Sequence, residues 1–210
     1  MRYLPLFPLP IVVYPGEIIN LHIFEPRYKQ LIEECIERKS TFGIPTFLER
    51  HLPGNGTEVE IVELVREYDN GEKDVTVKGK NVFRIINFYK NAKDKLYSAS
   101  DIETLDINFS TDAKLKKRVL KKMQELFIFA GIEKKLNVNP SQHVSYLIAH
   151  TVGFSLEQEY ELLGIEEEEK RLTYIFEHLT KILPVVHEFE NLKQKIKMNG
   201  HFKNFPKLDI

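Results

Sequence analysis

Leu4-Pro5-Leu6-Phe7-Pro8-Leu9-Pro10-Ile11-Val12-Val13-Tyr14-Pro15-Gly16-Glu17-Ile18-Ile19-Asn20-Leu21-His22-Ile23-Phe24-Glu25-Pro26-Arg27-Tyr28 is the stretch whose reading decides the fold of this 210-residue chain. Pro5, Pro8, Pro10 and Pro15 cut an apolar run into pieces too short for a helix, and each removes a backbone donor. The segment is therefore expected to run extended between turns. Pro15-Gly16 is the clearest turn, and Ile18, Ile19, Leu21 and Ile23 follow as a strand with at least one buried face. Glu25-Pro26 then opens a helix, because proline suits the first helical position and pushes the preceding residue out of the helical region.

Working outward, Tyr28, Leu31, Ile32, Cys35 and Ile36 recur at helical spacing. Phe42 to Leu48 reads as a strand, Pro53 to Gly56 as a loop, and Val59 to Val65 as a long strand. Tyr68-Asp69-Asn70-Gly71 is a tight hairpin turn of the kind Asn-Gly favours. Val75 to Ile86 continues as strands around an expected break at Lys78-Gly79-Lys80, and Tyr97 to Leu105 adds one more. Many short strands with a single early helix describe a small closed or half-closed barrel.

Near Asn108 the period changes. Leu115, Val119, Met123, Leu126, Phe127 and Ala130 step at helical intervals from Asp112. Asn139-Pro140-Ser141-Gln142 and Ser155-Leu156-Glu157-Gln158 read as helix starts, and Gly164 as a helix end. Glu166 to Glu169 place negative charge at the positive end of the last helix, whose apolar face runs from Leu172 to Ile196 and which Pro184 should kink near Thr180. The expected class is α+β: a mixed β-barrel over residues 1–107 with one early helix, then a helical bundle over 108–210 with a long kinked last helix and a C-terminal tail.

Three pieces of the chain carry a resemblance. The run Leu4 to Leu9, Val12-Val13-Tyr14-Pro15-Gly16 and Leu21 to Tyr28 resembles the opening of the substrate-binding domain of the ATP-dependent Lon proteases. Asp69-Asn70-Gly71 leading to Val75 to Ile85, and Leu162-Leu163-Gly164 followed by Arg171-Leu172, fit that family's pattern more loosely. The resemblance implies a pseudouridine-synthase-like (PUA-like) barrel and a stand-alone recognition domain that binds unfolded or exposed polypeptide segments, itself or as adaptor to a separate ATP-dependent protease.

Composition bounds the chemistry. A hydrophobic content of 42% fills a core, and a formal net charge of -1 supplies no global field for nucleic acid or an anionic membrane. Cys35 is the only cysteine, so neither an intramolecular disulfide nor a thiolate zinc site can form, and a reducing cytoplasm is the expected compartment. Prolines within the first apolar run argue against a signal peptide, and no apolar run reaches the roughly 20 residues needed to span a bilayer. No phosphate-binding Gly-x-x-x-x-Gly-Lys-Ser/Thr loop occurs, nor any segment like the Lon ATPase or serine-lysine protease modules, so the expected protein is non-enzymatic.

Candidate residues follow. Glu25, Arg27 and Tyr28 form a corner at a helix start, where a cation stands beside an amphipathic ring. It suits an acidic or extended peptide; the plainer reading packs Tyr28 inward and pairs Arg27 with Glu25. Phe202 and Phe205 in the C-terminal tail are costly to leave in water and should dock on the chain or on a partner, a second copy included. Lys114, Lys117, Arg118 and Lys121, within a basic run from Lys114 to Lys122, offer an alternative RNA-binding face, or simply a solvated helix side. His143, His150, His178 and His187 lack metal-ligand spacing, so neither a metal nor a cofactor is expected. The binding site is placed in the cleft where barrel and helices meet, by shallow apolar contact and strand addition at an open edge.

Overall fold

The computed structural model describes residues 1–48, 54–132 and 144–200. The chain is α+β. Strands β1 (Arg2–Leu6), β2 (Ile18–Ile23), β3 (Phe42–Pro45), β4 (Asn55–Glu67), β5 (Lys73–Tyr89) and β6 (Ser98–Thr104) form one six-stranded sheet in the order β2-β5-β4-β3-β1-β6. A further pairing of β5 with β6 closes β5-β4-β3-β1-β6 on itself and leaves β2 outside the ring. The long β5 makes this possible: Lys73 to Lys78 pair with β2, and Phe83 to Tyr89 with β6.

The opening stretch forms the expected strand, turn, strand and helix. Gly16 takes a φ of 86°, the left-handed region that suits glycine at a turn. The turn is pinned to β5 by the Gly16 amide donating to the Gly79 carbonyl (2.9 Å) and the Gly79 amide donating to the Glu17 carbonyl (2.8 Å). Two strand expectations need correcting. No break occurs at Gly79: β5 runs through it, and the glycine is there because a Cβ would lie 2.2 Å from the Tyr14 carbonyl oxygen. β3 ends at Pro45 rather than Leu48, because the chain beyond it turns to pair with the opening segment, Leu9 bridging Thr46 and the Phe47 amide donating to the Leu9 carbonyl (2.8 Å).

Helix α1 (Pro26–Arg38) has Glu25 as N-cap and buries Tyr28, Leu31, Ile32 and Cys35 in one cluster with Phe42, Val59 and Val75 of the sheet and Phe7 just after β1. The second half holds α2 (Ala113–Phe129), α3 (Val144–Ile148), a single 3-10 turn (Ala149–Thr151), α4 (Leu156–Leu163) and α5 (Glu168–Gly200). Asp112 caps α2 by accepting from the Lys114 amide (3.0 Å), and Ser155 with Gln158 completes a capping box on α4. Gly164 does end α4, but at a φ of -78°. Its requirement is space, since a Cβ there would meet the Asn55 amide nitrogen at 2.8 Å. α5 is unbroken through Pro184, whose ring nitrogen has no hydrogen to offer the Thr180 carbonyl.

Buried side chains join the strands to the helices. Val12, Tyr14, Val82 and Leu105 are buried in one cluster with Val119, Met123, Ile148, Leu163, Ile175 and Leu179. Among the described residues no helix is long and apolar enough to cross a membrane.

Candidate functional site

The start of α1 assembles the corner named from sequence. The Glu25 carboxylate makes no capping bond and instead accepts from Arg27 Nε (2.9 Å) and Nη2 (2.7 Å). The Arg27 guanidinium stands 4.5 Å from the centre of the Tyr28 ring, which stacks on Phe7 at 3.8 Å. Tyr28 is buried, and that burial pushes its hydroxyl above the ordinary range against the opposing charge of Arg27. The inward Tyr28 and the Glu25–Arg27 pair are thus both present, in one arrangement.

That corner is also one wall of a groove of ≈ 690 Å³. Ile85, Phe88 and Lys90 at the end of β5 supply another side, Leu96 and Ser98 the approach to β6, and Pro8 and Phe47 the remainder. A cleft of this size, lined by apolar side chains together with Arg27, Lys90, Asn91 and Ser98, falls within the roughly 300–1,000 Å³ typical of ligand sites. The groove lies on the sheet half beside α1, whereas the sequence reading places the binding site where barrel and helices meet.

Its walls are held in place. The Leu96 amide donates to Gln30 Oε1 (2.9 Å), Lys95 pairs with Glu34 (2.7 Å), and the Tyr97 hydroxyl donates to Glu34 (3.0 Å). The loop carrying Leu96 is therefore tied to the same helix that presents Arg27. The hydrogen bond from Lys95, opposed by burial and joined by that from Tyr97, keeps the Glu34 carboxyl below its usual range.

His150 joins the opening turn to the helical half. His150 lies between two acids, with Nδ1 2.8 Å from Glu159 and Nε2 3.2 Å from Glu17, while its ring meets Tyr14 at 4.8 Å. Tyr14 donates its hydroxyl to the Glu159 carbonyl (3.1 Å), so this cluster clips the Pro15-Gly16 turn to α4. Hydrogen bonding to Glu17 raises the imidazole, burial opposes it and Glu159 adds to it, with a result of about 9. A base whose folded value exceeds its free value of ~6.5 stabilises fully below that value and loses the contribution as pH rises through about 9. Unfolding by urea across this window is expected to show wild-type stability falling with pH, and His150→Gln removing that slope; equal slopes would discount the clip. Among the described residues no group of three or more His, Cys, Asp or Glu side chains could hold a metal ion.

On α2, Arg118 and Lys122 lie over the Phe176 ring at 4.4 and 5.1 Å, which spends part of the basic run on packing within the bundle. Lys114, Lys117 and Lys121 are exposed on that helix. Phe202, Phe205, His143 and the Asn139 to Gln142 helix start lie outside the described residues. Sequence reasoning missed the rest of the groove: Phe47, Phe88 and Leu96 come from separate segments, and no spacing in the chain links them.

Residues 3–181 match the family model described as the ATP-dependent protease La (LON) substrate-binding domain. The fold is similar to the crystal structure of a Lon N-terminal domain protein from Xanthomonas campestris (TM-score 0.65, 23% identity, 82% of this chain and 96% of that one). It is similar also to the N-terminal domain of Mycobacterium avium complex Lon protease (TM-score 0.64, 15% identity, 85% of this chain and 98% of that one). No curated protein matches the sequence. With the matched region spanning most of its length, the chain belongs to the Lon substrate-binding domain family.

Proposed function

We propose that this protein is a non-catalytic polypeptide-recognition module that seats exposed apolar segments of unfolded proteins in the groove beside α1. One observation carries the reading: an apolar cleft walled by Tyr28, Phe47, Phe88 and Leu96 and rimmed by Arg27 and Lys90, in a chain of the substrate-binding family. Aromatic and aliphatic walls accept varied apolar side chains through area rather than shape, which suits clients defined only by being unfolded. The rim cation Lys90 favours segments with a carboxylate beside the apolar residue. In the same reading residues 1–107 are the PUA-like barrel that presents the groove, residues 108–210 are the bundle that braces it, and a separate cytoplasmic ATP-dependent protease receives the client.

Phe88 and Leu96 are 46% and 60% exposed, so replacing them should leave the fold intact. Phe88→Asp and Leu96→Asp are each expected to weaken binding of a permanently unfolded, apolar protein by about tenfold or more, from the loss of ~1.5–3 kcal/mol of burial per side chain. Fluorescence anisotropy with a labelled unfolded client measures it. Absence of binding by the wild-type chain, or wild-type affinity in both variants, would reject the groove.

A further inference from the structure

Between β5 and β6 the side chains alternate in what they line. Leu96 and Ser98 belong to the groove, whereas Lys93, Lys95 and Tyr97 line a separate cleft of ≈ 520 Å³. Arg2 and Tyr3 of β1 and Arg38 at the end of α1 complete the charged part of its wall. Four cations thus converge on one opening in a chain whose formal net charge is -1. Such charges repel one another unless an anion stands among them.

The acids that pair with these cations lie behind them. Glu58 pairs with Arg2 at 2.7 Å and is 5% exposed against 48% for the arginine. Glu34 pairs with Lys95 at 2.7 Å and with Arg38 at 3.5 Å, and is 15% exposed against 66% for Arg38. Neither carboxylate lines the cleft, so both orient cations without filling the opening. Arg2 gives Glu58 one hydrogen from Nη1 (2.8 Å) and one from Nη2 (2.7 Å), which leaves Nε and a second hydrogen on each Nη for a ligand. Lys93 has no carboxylate partner among the described residues. The Ala92 amide donates to the Tyr97 carbonyl (2.8 Å) and the Lys95 amide to the Ala92 carbonyl (3.0 Å), so a hydrogen-bonded turn presents both lysines.

Four cations against two carboxylates leave two positive charges unmatched. A phosphate monoester carries about -1.5 to -2 at neutral pH, whereas a carboxylate would match only half of that surplus. Tyr3 adds a flat wall. It is half-exposed, its ring stands 6.3 Å from that of Tyr89, and its hydroxyl makes no hydrogen bond among the described residues. Cations beside an open aromatic face suit a phosphate carried by a flat ring.

We propose that this cleft binds a small organic molecule bearing a phosphate monoester on a flat ring, the phosphate held by Arg2, Arg38, Lys93 and Lys95 and the ring laid on Tyr3. A bounded cavity within the roughly 300–1,000 Å³ of small-ligand sites favours such a molecule over a phosphorylated polypeptide. The site is separate from the groove and stands without the client-binding reading.

Isothermal titration calorimetry of the full chain with phenyl phosphate tests this, with benzoate and inorganic phosphate as comparisons. Phenyl phosphate is expected to bind more tightly than either, because benzoate lacks the second charge and inorganic phosphate the ring. Lys93→Glu should weaken phenyl phosphate by about tenfold or more, the scale of one lost charge-assisted hydrogen bond. Lys93 is exposed and unpaired with any acid, so the melting temperature of that variant should match wild type. Tyr3→Ala should weaken phenyl phosphate while leaving inorganic phosphate unchanged. A wild-type chain that does not bind phenyl phosphate at millimolar concentration overturns the proposal, including one that binds only a phosphotyrosine peptide. Equal affinity for benzoate, or wild-type affinity for phenyl phosphate in either variant, overturns it as well.

Discussion

Arg171→Met is expected to lower unfolding free energy by about 3–5 kcal/mol, the range for removing one partner of a buried ion pair. In a chain of this length that is roughly 6 to 20 °C in melting temperature. Arg171 is fully buried and pairs with the equally buried Glu168 at 2.8 Å. Every direction of the guanidinium is engaged: Nε donates to Ser145 Oγ (3.0 Å), Nη1 to the Ile165 carbonyl (2.6 Å) and Nη2 to the Asn108 carbonyl (3.0 Å), with Tyr146 stacked at 4.5 Å. Glu168 in turn accepts from the Ser145 amide (3.1 Å) and hydroxyl (2.6 Å). One arginine thus joins the start of α3, the link before α5 and the point where the strands hand over to the helices.

Arg171→Lys is expected to recover little, since an ammonium cannot reach four acceptors spread over a planar fork. The Arg171→Met, Glu168→Met double variant should lose less than the sum of the single changes, because no uncompensated charge remains. It should still fall short of wild type, because the Asn108 and Ile165 carbonyls lose their side-chain donor. Circular dichroism melts and a urea double-mutant cycle measure all of these. Additive losses, or an Arg171→Met protein as stable as wild type, would show that the pair does not act as this junction.

Where chain position and structural role coincide, the sequence was readable. Pro26 begins α1 because its fixed φ and missing donor suit that position, and Gly71, at a φ of 76°, closes the hairpin after Tyr68-Asp69-Asn70. The apolar stripe of α2 is buried as its period requires. What escaped were residues whose role is set by partners far along the chain. Glu166 to Glu169 read as one helix-start charge cluster, yet Glu168 alone turns inward, because Arg171 and Ser145 compensate its burial. Glu58 sits in a run that alternates like an ordinary strand, but the β4–β5 register shifts between Thr57 and Val59. Its carboxylate is buried, which alone would raise it, and hydrogen bonds from Arg2, Thr41 and Asn81 outweigh that and hold it at about 2. His150 finds Glu17 only once α4 has folded against the opening turn.

The groove shows the same division. Glu25, Arg27 and Tyr28 were visible because a helix start gathers them locally. The opposing wall is assembled by β5 bending from one neighbour strand to another, β2 for its first half and β6 for its second. Strand pairing of this kind is a tertiary property, and isolated exposed Phe or Leu residues are too common on protein surfaces to mark a site. The candidate site therefore depends on β5 running unbroken through Gly79.

Gly79→Ala puts that dependence to the test, with an expected loss of about 1–3 kcal/mol from overpacking. The φ of Gly79 is not in the left-handed region, so the penalty is steric: the new methyl would stand 2.2 Å from the Tyr14 carbonyl oxygen, a backbone atom unable to rotate aside. Either β5 or the Val12 to Glu17 segment must yield. If the segment yields, the Gly16 and Glu17 contacts to Gly79 lengthen, and Glu17 withdraws from His150. The variant should then lose, besides stability, the pH dependence that His150 confers between ~6.5 and about 9. Hydrogen exchange at the Gly16 and Gly79 amides should quicken, while exchange in α2 and the body of α5 stays slow until global unfolding. Gly71→Ala is the control: nothing lies within 4 Å of its added Cβ, so its cost is conformational and should leave the pH slope untouched. A Gly79→Ala protein with wild-type stability and protected amides would mean that the proline-punctuated opening is not held on β5, and that the groove it helps to wall is not fixed by this crossing.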